Sequence, residues 1–109
     1  LSRELVMDLQ VTPPAFSPNG DGINDELELS FILLRALNPV PVEITLFDLS
    51  GRTVRRLQTR GMMNGPQSVI WNGRGDGGQL VPPGLYLLKL SVDTDTGSEE
   101  QTRLVGVAY

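Results

Sequence analysis

Seven short segments of the chain alternate apolar and polar residues with a period of two, and this pattern restricts the fold more than any other feature. Such alternation places the apolar side chains on one face of a β-strand. Gly, Pro, Asn and Asp separate the segments and favour tight turns. The segments are residues 5–11, 27–33, 42–47, 53–57, 68–72, 86–92 and 102–109. We therefore predict an all-β single domain over residues 1–109, a two-sheet antiparallel sandwich of the immunoglobulin or fibronectin-III kind with about seven strands.

The same alternation predicts which side chains face the core. The apolar positions that share one side of the first segment are Leu5, Met7, Leu9 and Val11. The last segment offers two sets, Leu104 with Gly106 or Val105 with Val107. Trp71 is the single tryptophan, and we expect it to fill the core, with a surface position for stacking on sugars as the alternative. The expected core includes Leu29, Phe31, Ile44, Leu46, Trp71, Tyr86, Leu88 and Leu90.

The composition removes several kinds of chemistry. The chain has no Cys and no His, which excludes disulfides, Cys–His zinc sites, thiol nucleophiles and histidine bases. Its net charge of −4 disfavours nucleic-acid binding, and no apolar run approaches the roughly 18 residues of a membrane span. A sandwich of 109 residues also has little room for a substrate cleft. We therefore predict that the chain is not an enzyme.

A polar loop precedes the second segment, in the stretch FSPNGDGINDELEL (16–29). Calcium takes about six to eight oxygen ligands, and acidic loops supply them from alternate positions around a glycine at the sixth. Counted from Ser17, the sixth position is Gly22. The predicted ligands of a structural calcium ion are Ser17, Asn19, Asp21, the main-chain carbonyl of Ile23, Asp25, Glu26 and Glu28. A tight turn without an ion is the alternative, because Asn, Gly and Asp are common in turns.

Two later stretches together form one motif. They are ITLFDLSGRTVRRL (44–57) and VIWNGRGDGGQLVPPGLYLLKL (69–90). The motif runs as an apolar strand, Asp-x-x-Gly-Arg-x-Val, a strand that ends in Trp, a Gly/Asp-rich turn, and Gly-x-Tyr at the start of the next strand. From about residue 40 to residue 109 the sequence resembles the immunoglobulin-like domain of flagellar hook-capping proteins. The motif positions expected to be structural are Asp48, Gly51, Trp71, Gly84 and Tyr86.

The front stretch PPAFSPNGDGINDELEL (13–29) resembles a second, related group. It is similar to the gliding-motility-associated C-terminal domains of secreted bacterial proteins, some of which are sorting signals for type IX secretion. The resemblance implies a β-sandwich in an exported bacterial protein, located outside the cell or on its surface. It implies no enzymatic activity, because such modules are attached to proteins of many activities.

Four functions remain open from the sequence. The first is a non-catalytic structural or interaction module that contacts other domains of its parent chain or other protein subunits. The second is a C-terminal sorting or anchoring domain for type IX secretion, and the third is a hook-cap-type assembly domain. The fourth is a carbohydrate-binding module, for which the arginines around residues 52–60 offer a basic face. The tripeptide at 74–76 reads Arg-Gly-Asp, and turn chemistry explains it more simply than cell adhesion does.

Overall fold

The structure is a computed structural model that describes residues 5–35, 38–58, 61–94 and 97–109, and it arranges them in two β-sheets. The strands are β1 (Val6–Thr12), β2 (Ala15–Phe16), β3 (Leu27–Leu33), β4 (Val40–Asp48), β5 (Thr53–Gln58), β6 (Gly61–Met62), β7 (Gly65–Trp71), β8 (Gly84–Thr94) and β9 (Gly97–Val107). The smaller sheet has the order β1-β3-β7, and the larger has β2-β9-β8-β4-β5, with β6 paired to β4. The all-β sandwich predicted from the sequence is confirmed. The seven predicted segments all form strands, and β2 and β6 are two additional strands of two residues each.

The core lies between the inner faces of the two sheets. Alternate residues of β3, β4 and β8 point into it, as their period-two patterns predict. All eight predicted core residues are buried, and Trp71 is fully enclosed. In the last strand the set Val105 and Val107 faces inward, whereas Leu104 is 54% exposed.

Strand β1 departs from simple alternation. Its register against β3 shifts between Met7 and Gln10, and Asp8 at this bulge has a positive φ of 56°. A bulge inserts one residue, so the side chains before it and those after it follow opposite alternations. As a result Val6 is buried and Met7 is 40% exposed, so the prediction that Met7 faces the core was wrong.

The chain changes sheets directly after β1. The Thr12–Pro13 peptide is cis, and β2 then joins the larger sheet. There it runs parallel to β9, with Ala15 opposite Gly106. The sandwich is therefore antiparallel except for this one short pair among the described strands, which the alternation pattern could not reveal.

Side chains of β9 connect the two sheets along this side of the sandwich. The carboxylate of Glu99 accepts a hydrogen bond from the amide of Leu5 at 2.7 Å. The side-chain amide of Gln101 donates to the carbonyl of Val6 at 3.3 Å. The guanidinium of Arg103 lies 3.5 Å from the carbonyl of Leu9. Alternate polar residues of β9 thus satisfy backbone groups of β1 and of the residue before it.

Candidate functional site

One end of the sandwich gathers every motif found in the sequence, and we call it the motif end: residues 13–26, 49–52, 72–83 and 106–109. The pairings that place these loops together are Thr12 with Glu28, Leu27 with Trp71, Asp48 with Tyr86, and Gly84 with Val107. Each residue of these pairs lies within the first three or the last three positions of its strand. The loops that follow therefore leave both sheets at the same end.

The acidic loop is closed by its own backbone and side chains. The amide of Ser17 donates to the carbonyl of Asn24 at 2.9 Å. Asp25 accepts the amide of Gly20 on one carboxylate oxygen, at 2.9 Å, and that of Gly22 on the other, at 2.7 Å. Both glycines have a φ of +82°, a conformation that glycine adopts without strain. The Asn-Gly-Asp-Gly sequence therefore forms a turn whose backbone amides are bound by the carboxylate of Asp25.

The residues predicted to bind calcium lie on this loop and on the strand after it. Ser17, Asn19, Asp21, Ile23 and Asp25 belong to the loop, Glu26 follows it, and Glu28 lies exposed on β3. The side chains of Asn19 and Asp21 accept the amides two residues on, at 3.2 Å and 2.8 Å. In the described part of the chain, no group of three or more Asp or Glu side chains is placed to hold a metal ion. Calcium binding by this loop stays a prediction.

Trp71 joins the acidic loop to the turn of residues 72–80. Its ring packs against Phe16 at a centroid distance of 5.4 Å and against Tyr86 at 6.0 Å. Its indole N–H donates to the carbonyl of Arg74 at 2.9 Å, which fixes the start of the turn. Burial of an aromatic ring together with its polar group is favourable only when that group finds such an acceptor.

Gly73 allows the two loops to touch. Its φ is +81°, and an added Cβ would lie 2.5 Å from Cγ of Pro18. No side chain fits at that distance, so the approach of the Ser-Pro-Asn segment requires glycine here. The two family-like motifs, more than fifty residues apart in sequence, thus form one structural unit at Pro18 and Gly73.

Tyr86 ties the start of β8 to the turn before it. Its hydroxyl donates to the carbonyl of Pro82, four residues upstream. Immunoglobulin-like sandwiches often contain such a tyrosine corner. Burial of the ring raises the pKa of Tyr86, and the nearby Tyr109 and Asp48 act in the same direction. The hydroxyl of Tyr109 donates to the carbonyl of Val81 at 2.7 Å, so two tyrosines hold the Val-Pro-Pro turn.

Asp48 organises the Asp-x-x-Gly turn. One carboxylate oxygen accepts the hydroxyl of Ser50 at 2.6 Å and the amides of Ser50 and Arg52 at 3.0 Å and 2.9 Å. These bonds, the Ser50 hydroxyl first and the Arg52 amide next, hold the pKa of Asp48 below its ordinary value. Gly51 has a φ of +90° and donates its amide to the Asp48 carbonyl. The motif spacing therefore describes one self-contained turn.

The Arg-Gly-Asp tripeptide protects the outer edge of β5. The amide of Asp76 donates to the carbonyl of Val54 at 2.9 Å, and its carboxylate accepts the amide of Arg56 at 3.0 Å. The guanidinium of Arg74 donates to the carbonyl of Gly78 at 2.8 Å. Both charged side chains are thus used within the fold. Sequence reasoning explained the tripeptide as a turn but missed that Asp76 caps a sheet edge, since nothing local to residues 74–76 shows what it faces.

No charged side chain among the described residues is buried. The outer face of the larger sheet has a shallow depression, lined by Pro41, Glu43, Ser91, Asp93, Ser98 and Glu100. Its three carboxylates are exposed, so water has free access to any group bound there. The described residues contain no helix long and apolar enough to span a membrane.

The two packed sheets, the tyrosine corner and the motif end define an immunoglobulin-like β-sandwich module. The family model of the CHU_C type IX secretion signal domain matches residues 10–107. The chain belongs to this family, and it is therefore a domain of an exported protein. No curated protein sequence matches it.

Solved structures show the same fold. FlgD from P. aeruginosa aligns with a TM-score of 0.60 and 22% identity, over 75% of this chain and 62% of that one. The dimeric latent PorU from Porphyromonas gingivalis aligns with a TM-score of 0.72 and 17% identity, over 99% of this chain and 10% of that one. PorZ, a surface component of the type IX secretion system of the same organism, aligns with a TM-score of 0.58 and 19% identity, over 93% and 11%. The chain spans less than two thirds of each. The resemblance to FlgD-like and type IX secretion domains is confirmed.

Proposed function

We propose that this domain is a sorting signal, read by a type IX secretion machinery, that directs the protein carrying it to the cell surface or the medium. The family match over residues 10–107 carries the proposal. The likeness to single domains of PorU and PorZ supports it, since those much longer chains contain this sandwich as one part. The domain works through the other domains of its parent chain and through the subunits that recognise it.

The proposed role requires no catalysis. The chain lacks Cys and His, and no charged side chain in the described ranges is buried. Three carboxylates in or next to the motif end, those of Asp25, Asp48 and Asp76, already accept hydrogen bonds from backbone amides. A folded, inert recognition module is what such a surface supports.

A structural or assembly module is the second candidate. It is favoured by the alignment with FlgD, of which this chain covers 62%. Such a module would set the reach or the contacts of its parent chain, and its removal would leave export intact. The two functions therefore differ in what happens to the parent protein when the domain is lost.

A reporter fusion tests the proposal. A periplasmic reporter joined to residues 1–109 is produced in a bacterium with type IX secretion, and its location is compared with that of the reporter alone. We expect export of the fusion only, and retention in the periplasm when the secretion machinery is deleted. A fusion that carries the exposed-site variant Thr53→Ala serves as a folded control and should be exported. A folded fusion that stays in the periplasm would refute sorting and favour the structural role.

A further inference from the structure

Among the described residues, β9 forms an open edge of the larger sheet over most of its length. That strand pairs with β8 over its whole length, whereas its other side pairs with β2 only at Gly106 and Val107. On this side of β9, away from β8, the amide of Gly106 donates to the carbonyl of Pro14 at 2.9 Å. Because backbone groups alternate along a strand, every second residue before Gly106 points the same way. Those residues are Ser98, Glu100, Thr102 and Leu104.

No strand among residues 5–35, 38–58, 61–94 and 97–109 pairs with this stretch of β9. The opposite edge of the same sheet is different, because Asp76 caps β5 by bonding Val54 and Arg56. An uncapped edge presents backbone donors and acceptors that another strand can pair with. The edge of residues 98–104 is therefore available for pairing with an extended strand.

The charges along this edge identify a fitting partner. We propose that a second copy of this chain pairs its β9 antiparallel with the first, about a two-fold axis at Gln101. This register places Glu99 opposite Arg103 of the second copy, twice by symmetry. It also places Glu100 opposite Thr102, and Ser98 opposite Leu104, so the whole open stretch is used. Opposite charges on facing residues stabilise a pair of strands.

Neighbouring registers are less favourable. In a hydrogen-bonded pair of these edges, Ser98, Glu100, Thr102 and Leu104 can lie opposite only the same set of residues in the second copy. The two-fold axis can therefore pass through any one residue but not between two residues. An axis at Glu100 sets that carboxylate against its own copy, and an axis at Arg103 does the same with two guanidinium groups. Like charges directly opposite destabilise the pair. An axis at Thr102 brings no charged pair together. The register at Gln101 is thus selected by charge as well as by overlap.

The side chains concerned are within reach of the edge. The guanidinium of Arg103 donates to the carbonyl of Thr102 at 2.8 Å, which is one of the open acceptors. In the paired state the amide of Glu100 from the second copy takes that carbonyl and releases this nitrogen of Arg103 toward Glu99 of the second copy. The bonds that Glu99 accepts from Leu5 and that Arg103 donates to Leu9 within the chain can persist, because both side chains have further hydrogen-bonding atoms. Leu104, which is 54% exposed, becomes shielded by the added strand. Pairing does not depend on the proposed sorting role.

Thr102 provides a register-specific test. Thr102→Lys places an ammonium opposite Glu100 of the second copy, and Thr102→Glu places a carboxylate there. Within the chain position 102 faces Lys89, which is ion-paired with Glu100, so the melting curve of each variant measures that separate effect. Sedimentation equilibrium of the 109-residue chain should show the first variant associating roughly 2- to 30-fold more tightly than the unaltered chain, and the second more weakly by a similar factor. Thr102→Pro removes an edge amide, is tolerated in an edge strand, and should also weaken association. The matched control is Thr53, exposed on the capped strand β5, where Lys or Glu should change nothing.

Amide hydrogen exchange supplies a second readout. As concentration rises, the amides of Ser98, Glu100, Thr102 and Leu104 should gain protection, whereas those of the alternate residues, which bond β8, should not change. A chain that remains monomeric at about 1 mM overturns the proposal. So does association that is indifferent to Lys or Glu at position 102, since contact through a sheet face would then be responsible. Melting curves of each variant confirm that it is folded.

Discussion

The contact between Pro18 and Gly73 predicts a large effect from a single methyl group. In Gly73→Ala the new Cβ would lie 2.5 Å from Cγ and 2.7 Å from Cβ of Pro18, well inside van der Waals distance. Overpacking of this kind costs about 1–3 kcal/mol. The φ of +81° adds about 1–2 kcal/mol for any residue with a Cβ. We expect a loss of roughly 2–5 kcal/mol, or about 8–20 °C in melting temperature at about 4 °C per kcal/mol.

Gly78 is the matched control, because its φ of +86° is similar and no atom lies within 4 Å of its added Cβ. Gly78→Ala should therefore show the conformational cost alone, about 1–2 kcal/mol. Urea unfolding followed by the fluorescence of the single tryptophan measures both variants. In a Pro18→Gly background the Gly73→Ala change should cost less, as a double-mutant cycle would show. Equal losses in the two alanine variants, or strictly additive behaviour with Pro18→Gly, would refute the predicted clash.

Three further predictions concern the core, the Asp-x-x-Gly turn at Asp48 and the acidic loop. Leu88→Ala removes a fully buried side chain and should cost about 2–5 kcal/mol in urea unfolding; a loss under about 1 kcal/mol would contradict its central position. Asp48→Asn should lower stability near neutral pH. Because the folded state lowers the pKa of Asp48 from 3.8, its contribution is present above that value and is lost as the pH falls through the lower one, so the two unfolding free energies should converge in acid. Excess calcium should raise the melting temperature, and Asp21→Ala should abolish the rise; identical melts in calcium and in chelator would exclude the site.

The strands and most of the core could be predicted because period-two alternation is a local property. Leu88 and Leu90 face inward for the reason that the pattern gives, and Trp71 follows from its size and its place at the end of a strand. The pattern misplaced Met7, because a bulge at Asp8 depends on pairing with β3 and leaves no mark in the alternation. The short strand β2 escaped for a similar reason, since two residues carry no period.

The candidate site was less predictable, because its contacts join distant parts of the chain. The spacing of the acidic loop suggested an ion, yet the carboxylate of Asp25 accepts two backbone amides of the same loop. Composition alone does not distinguish carboxylates that bind a cation from carboxylates that hold a turn. The role of Asp76 is likewise invisible locally, because the strand that it caps lies about twenty residues earlier.

The motif residues also limit where recognition by a secretion machinery can occur. Asp48 and Gly51 build one turn, Trp71 and Tyr86 lie in the core, and Gly84 opens β8 at a φ of 148°. All five specify the sandwich that this chain shares with FlgD, so changing them should reduce export only to the extent that it unfolds the domain. Discrimination between a sorted and an unsorted sandwich must then reside in exposed positions. Variants that impair export while leaving the melting temperature unchanged should therefore map outside these five residues. A variant at one of the five that folds normally but is not exported would show instead that the secretion machinery recognises the motif itself.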